Sequence, residues 1–64
     1  MTAAEFDKAK FTGQMKCEYK GKIYFIISVD FEERLIAIYE NPAMEYEENA
    51  FPDWKRCENV TLIK

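Results

Sequence analysis

The chain of 64 residues has no histidine, two glycines, two prolines, two cysteines and a single tryptophan. Without imidazole there is no Ser-His or Cys-His nucleophile and no proton shuttle poised near neutrality. A zinc centre would have to draw on carboxylates or a second chain to fill four positions. Gly13 and Gly21 each stand where a turn is expected, which leaves none for a phosphate-cradling loop. Cys17 and Cys57 are too few for a disulfide framework and have no CxxC spacing, so they read as reduced, small hydrophobes, bridged only if the fold makes them neighbours. The longest apolar run, Ile23 to Ile27, is far short of the roughly 20 residues of a membrane span, and Met1 to Glu5 lacks the charged-then-apolar pattern of a secretory signal. The expectation is a cytoplasmic, non-catalytic protein without metal or cofactor.

What the chain does have is apolar and aromatic material, 48% and 16% of its residues. That is enough to offset the ordering entropy of one small domain spanning residues 1–64, although a chain of this length buries only about 60% of its unfolded surface. The net charge of −3 is unevenly spread. Residues 1–29 carry five lysines and three acids, residues 30–53 carry eight acids against Arg34, and residues 54–64 return to a net +2. The middle block is a solvated face or a surface for a basic partner. Carboxylate pairs such as Glu32-Glu33 and Glu47-Glu48 sit side by side in polar sequence, where nothing raises a pKa for acid-base work.

Thr2-Ala3-Ala4-Glu5 has the form of a capping box, so a short helix begins there, presents Phe6 to the rest of the domain and stops by Gly13. Residues 1–12 form a helical brace. From Lys22 to Phe31 the chain alternates, with Ile23, Phe25, Ile27, Val29 and Phe31 on one side, which marks a long strand whose Phe25, Ile27 and Val29 are expected deep in the core. Before it, Met15, Cys17 and Tyr19 alternate with Lys16, Glu18 and Lys20. A type I turn on Tyr19-Lys20 with Gly21 left-handed would join the two as a bulged hairpin. Leu35 to Glu40 is apolar on both faces, the mark of a central strand. Asn41-Pro42 ends it, residues 43–53 have no period, residues 54–57 make a short strand, Glu58-Asn59 a single turn, and Val60 to Ile63 the last strand.

In this order of pieces, Gly13-Gln14-Met15-Lys16-Cys17, the Tyr19-Lys20-Gly21-Lys22-Ile23-Tyr24 hairpin, a long bent second strand and a one-turn break at Glu58-Asn59, residues 13–63 resemble the small five-stranded Src-homology-3-like barrels, including the Tudor and KOW-type members. The resemblance implies a mainly β barrel with a short N-terminal helix, and a source among bacteriophages or mobile elements.

Ten aromatic residues exceed what so small a core is expected to hold. Phe25, Phe31 and Tyr19 are core by periodicity, whereas Tyr46, Phe51 and Trp54 interleave with Glu45, Glu47, Glu48 and Asp53. Phe51 and Trp54 either fold inward to close an end of the barrel or, with Tyr46, anchor a partner while the carboxylates steer the encounter. These seven residues are the candidate partner-binding set. They point to a protein-protein interaction module, a phage or mobile-element accessory protein that docks on or inhibits a host protein with a basic surface. The alternative is a reader of nucleic acid through Lys16, Lys20 and Lys22, with Tyr24 as a stacking ring, or of modified residues through an aromatic cage.

Overall fold

The structure, a computed structural model, describes residues 1–63. Thr2 Oγ1 accepts from the Glu5 amide at 3.1 Å while Glu5 Oε1 accepts from the Thr2 amide at 3.0 Å, the reciprocal pair that opens helix α1 (Ala3–Lys8). The helix ends at Lys8, five residues before Gly13, because the Ala9 amide folds back onto the Glu5 and Phe6 carbonyls and Ala9 itself is extended. Gly13 belongs instead to the turn before the first strand, and Gln14 there takes the positive φ of 102°. Six residues of helix are not self-supporting. Phe6 anchors them: it is buried and meets Phe11 at 5.2 Å and Phe31 at 6.0 Å between ring centroids.

Six strands follow: β1 (Lys16–Tyr19), β2 (Lys22–Phe25), β3 (Ser28–Asp30), β4 (Leu35–Ile38), β5 (Asp53–Arg56) and β6 (Thr61–Ile63). They form two antiparallel sheets ordered β2-β1-β6 and β3-β4-β5. The long second strand expected from the sequence is thus two strands, and its break is local. The Ile26 amide donates to Met15 O at 2.8 Å, toward the first sheet, and the next amide, Ile27, donates to Ala37 O at 2.9 Å in the second. Consecutive residues serve different sheets, so the chain bends between them.

The core lies between the sheets and consists of Phe6, Cys17, Tyr19, Ile36, Ile38, Cys57 and Val60, with Tyr24, Ile26, Val29, Phe11 and Met1 packed against it. β4 is the central strand of its sheet, and Ile36, Ala37 and Ile38 are all fully buried, which agrees with its two apolar faces. Between β5 and β6 a one-turn 3-10 helix (Cys57–Asn59) stands where Glu58-Asn59 marked a turn, and its start is tied down by the Cys57 amide donating to Arg34 O at 3.1 Å. A second one (Pro42–Tyr46) gives form to a stretch that has no sequence period; Asn41 Oδ1 caps it by accepting from the Ala43 amide at 3.1 Å. No helix among the described residues is long and apolar enough to cross a membrane.

The alternation of β2 is inverted relative to expectation. Ile23 and Phe25 are 60% and 49% exposed, Ile27 and Phe31 are exposed as well, and the inward residues are Tyr24, Ile26 and, beyond the bend, Val29. The cause is the turn. Tyr19 pairs with Lys22 across a two-residue loop in which Lys20 and Gly21 have φ of 51° and 79°, the two left-handed residues of a type I′ turn. A bulged type I turn would have shifted the ladder by one residue, and a one-residue shift moves every side chain to the opposite face.

Candidate functional site

The inverted phase of β2 leaves an apolar row on the outside of the first sheet, where Ile23 and Phe25 stand opposite Glu18 and Lys16 of β1. The row continues through the bend to Ile27. Where it passes Tyr39, just beyond β4, and Glu45, in the 3-10 helix Pro42–Tyr46, it becomes one side of a groove of about 230 Å³ lined by Ile23, Tyr24, Phe25, Ile27, Tyr39 and Glu45. Tyr24, packed partly against the core, also lines the groove. Three rings, two isoleucines and a carboxylate therefore meet in one open cleft. On the sheet surface nearby, Lys16 Nζ lies 5.0 Å from the centroid of the Phe25 ring.

Of the seven candidate partner-binding residues, Glu45 lines this groove. Tyr46, at the end of the same 3-10 helix, and Phe51 are 87% and 88% exposed, and Trp54 is 46% exposed. The inward reading of Phe51 and Trp54 is thereby set aside. Trp54 stands on β5 directly opposite Ala37, which in turn pairs with Ser28, so its indole belongs to the outer face of the second sheet. Glu47 and Glu48 lie exposed on the segment between the 3-10 helix and Phe51. Asp53 serves the fold, since its Oδ2 accepts from the Glu40 amide at 3.2 Å and closes the connection that carries Glu45, Tyr46, Glu47, Glu48 and Phe51.

The acidic block divides on the same grounds. Asp30 Oδ1 accepts from the amides of Glu32 and Glu33, both at 3.0 Å, and shapes the β3–β4 turn. Glu40 forms an ion pair with Lys55, and this hydrogen bond raises the Lys55 pKa above its ordinary value. Lys55 also lies 4.8 Å from the Tyr19 ring centroid. Asp30, Glu40 and Asp53 thus hold the structure together, which leaves Glu32 and Glu33 exposed in the β3–β4 turn and Glu45, Glu47 and Glu48 exposed in the stretch that carries Tyr46 and Phe51.

Elsewhere the ionisable groups are structural. Arg34 holds Asp7 in a two-point contact, Nε to Oδ1 and Nη2 to Oδ2, each 3.0 Å, which lowers the Asp7 pKa and raises that of Arg34. Burial raises both thiols, and Cys57 is raised further by the neighbouring Glu58 carboxylate, to which its Sγ donates at 3.7 Å. Both cysteines are free, and the apolar reading given to Cys17 on β1 holds equally for Cys57 in its turn. Among the described residues no three Cys, Asp or Glu side chains converge into a group fit for a metal ion. Lys16, Lys20 and Lys22 are exposed on the β1–β2 hairpin, with the Lys20 ammonium 5.3 Å from the Tyr19 ring centroid.

Comparison with protein-family models, curated proteins and solved structures finds no match.

The groove walls escaped the sequence reading because Ile23, Phe25 and Ile27 alternate as core residues do. The signal that separates the two readings is the Lys20-Gly21 pair between Tyr19 and Lys22, which fits a two-residue loop and then requires Tyr24, not Phe25, to share a face with Cys17.

Proposed function

We propose that the chain is a non-catalytic interaction module that docks on a basic protein surface through the aromatic and acidic residues of its 39–54 segment together with the outer face of β2. The observation that carries this reading is the continuity of exposed rings with exposed carboxylates. Phe25 and Tyr39 share a groove with Glu45, and Tyr46, Glu47, Glu48 and Phe51 follow along the same stretch of chain. Large rings supply affinity at such surfaces, and charge supplies encounter rate and orientation. A phage or mobile-element accessory protein that occupies a basic groove on a host enzyme fits this chemistry.

The same proposal includes the finer fold assignment, a Src-homology-3-like barrel. It is supported by a bent strand that hands its backbone amides from one sheet to the other at Ile26 and Ile27, and by the one-turn break before β6.

The test is capture from lysate with the immobilised full chain at two salt concentrations, followed by purification of the captured protein and direct binding. A basic protein whose binding weakens in Glu45→Gln/Glu47→Gln/Glu48→Gln, and weakens in salt, supports docking. The second reading rests on Phe25, half-exposed beside Lys16 on the lysine-bearing hairpin. Binding to single-stranded nucleic acid that is abolished by replacing Lys16, Lys20 and Lys22, with the glutamate variant unchanged, would establish it instead.

A further inference from the structure

We propose that the groove between β2 and the 3-10 helix Pro42–Tyr46 is a receptor for a single lysine side chain of the partner protein. The inference rests on the docking reading and names the part of the partner that enters. Size is the first argument: at about 230 Å³ the groove lies below the roughly 300 to 1,000 Å³ typical of sites for small-molecule ligands and cofactors, so a side chain is the natural occupant. Its lining is the second. Ile23 and Ile27 offer an aliphatic wall for a methylene stem, Phe25 and Tyr39 supply rings for a cation, and Glu45 supplies the countercharge. That lining holds one acid and no base; Tyr39 and Glu45 come from the acidic 30–53 block, and the other four residues from the stretch before it.

The molecule's own lysines show the pairing that a lysine guest would make. Three lysine ammoniums, those of Lys16, Lys20 and Lys55, lie over rings at 5.0, 5.3 and 4.8 Å, and Lys55 combines its ring with the Glu40 carboxylate, the same pairing of ring and acid that the groove offers. A guanidinium can take both oxygens of one carboxylate, as Arg34 does with Asp7, so an arginine side chain is the competitor against which the lysine assignment is tested. Lys16 matters twice: the Phe25 ring already accepts its ammonium, and its charge opposes a second one arriving at the same ring.

The experiment is an amide-resolved NMR titration of the isotope-labelled full chain with three blocked tripeptides, acetyl-Gly-Lys-Gly-amide and its norleucine and arginine counterparts. The lysine peptide is expected to shift the amides of Tyr24, Tyr39 and Glu45 saturably, with a Kd of order millimolar. The norleucine peptide should bind at least about fivefold more weakly, and Glu45→Gln should weaken the lysine peptide by about three- to tenfold. Lys16→Gln should strengthen it about twofold by removing the competing charge. Glu45 and Lys16 are exposed, so both variants keep the dispersed spectrum of the folded chain. Norleucine binding equal to lysine, arginine binding as tight as lysine, an unaffected Glu45→Gln variant, or shifts centred away from the groove each overturn the assignment. If they do while Trp54→Ala and Phe51→Ala still weaken a captured partner, the docking reading stands and the lysine receptor alone is wrong.

Discussion

Cys17 stands opposite Tyr24 in the β1–β2 ladder, and this one pairing decides which side of the molecule is apolar. Cys17 is wholly buried, so its partner faces the core and the neighbours Ile23 and Phe25 face out. The pairing is set by the Lys20-Gly21 turn.

That turn is therefore the first place to test. Gly21, with φ of 79°, has open space around a would-be Cβ, so Gly21→Ala is opposed by backbone torsion alone. It is expected to cost about 1 to 2 kcal/mol, a fall in Tm of several degrees for a domain of this size. Lys20→Asn creates the pair favoured in type I′ turns and should leave stability unchanged or raise it by about 0.5 kcal/mol, the lost contact with Tyr19 partly offsetting the torsional gain. Thermal unfolding followed by circular dichroism reads both; a destabilising Lys20→Asn together with a harmless Gly21→Ala would contradict the turn type.

Phe6 and Phe25 make the complementary comparison. Phe6 is buried at the junction of helix and sheets, and Phe6→Ala should cost on the order of 3 to 5 kcal/mol, most of the stability so small a domain has. Phe25→Ala removes a half-exposed ring on the outer face and should cost about 1 kcal/mol or less. Chemical denaturation distinguishes them, and equal losses would mean that β2 carries the opposite phase.

What the sequence made legible was local. The capping box at Thr2 and Glu5, the central strand with apolar residues on both faces and the one-turn break at Glu58-Asn59 all depend on neighbours a few positions away. The phase of Ile23 and Phe25 does not. It depends on the sign of one torsion at Lys20, and the strand's division at Ile26 and Ile27 depends on two sheets drawing on consecutive amides. The candidate site inherits this split. Glu45, Tyr46 and Phe51 were legible as rings and acids in an aperiodic stretch, but the groove beside them is made of residues whose alternation reads as core.

Acid should expose the Asp7–Arg34 contact. Because the folded Asp7 carboxyl titrates below its ordinary value of 3.8, the folded state binds this proton less readily than the unfolded chain does. The stabilisation is complete above that value and is lost as pH falls through the lowered one. The stability difference between the native protein and Asp7→Asn, measured by denaturant titration from pH 7 to pH 2, should thus be constant down to about pH 4 and vanish below. It should also shrink in salt, since both groups are exposed. A difference that grows on acidification would reverse the assignment.

The thiols report on the interior. Cys17 and Cys57 are fully buried and their pKa values are raised, so a thiolate-selective reagent should find almost nothing to modify in the native protein at neutral pH. After unfolding without reductant two thiols per chain should react. Native reactivity should rise in Phe6→Ala in proportion to its loss of stability, because reaction then proceeds through opening. Rapid native modification of either cysteine would contradict the burial of that residue.

The docking surface makes the most consequential prediction, because rings and charges there are expected to act on different steps. Phe51 and Trp54 are exposed in the free protein, so truncating either removes contact area without opening a core cavity. Phe51→Ala or Trp54→Ala should weaken binding to the captured partner by about 2 kcal/mol or more, mostly through faster dissociation. The Glu45→Gln/Glu47→Gln/Glu48→Gln variant should slow association and flatten its dependence on salt while changing dissociation little, since charges exposed at a rim steer more than they hold. Asp53 gives the internal control. Its carboxylate closes the 40–53 connection by accepting from the Glu40 amide, so Asp53→Ala, which removes the acceptor, should change stability as well as binding, whereas the three glutamates, all exposed, should change binding alone. Surface plasmon resonance with the purified partner at two ionic strengths separates the steps. If the glutamate variant dissociates faster with unchanged association, the carboxylates are contacts and not guides; if neither rings nor carboxylates matter, the partner docks elsewhere and the proposed surface is wrong.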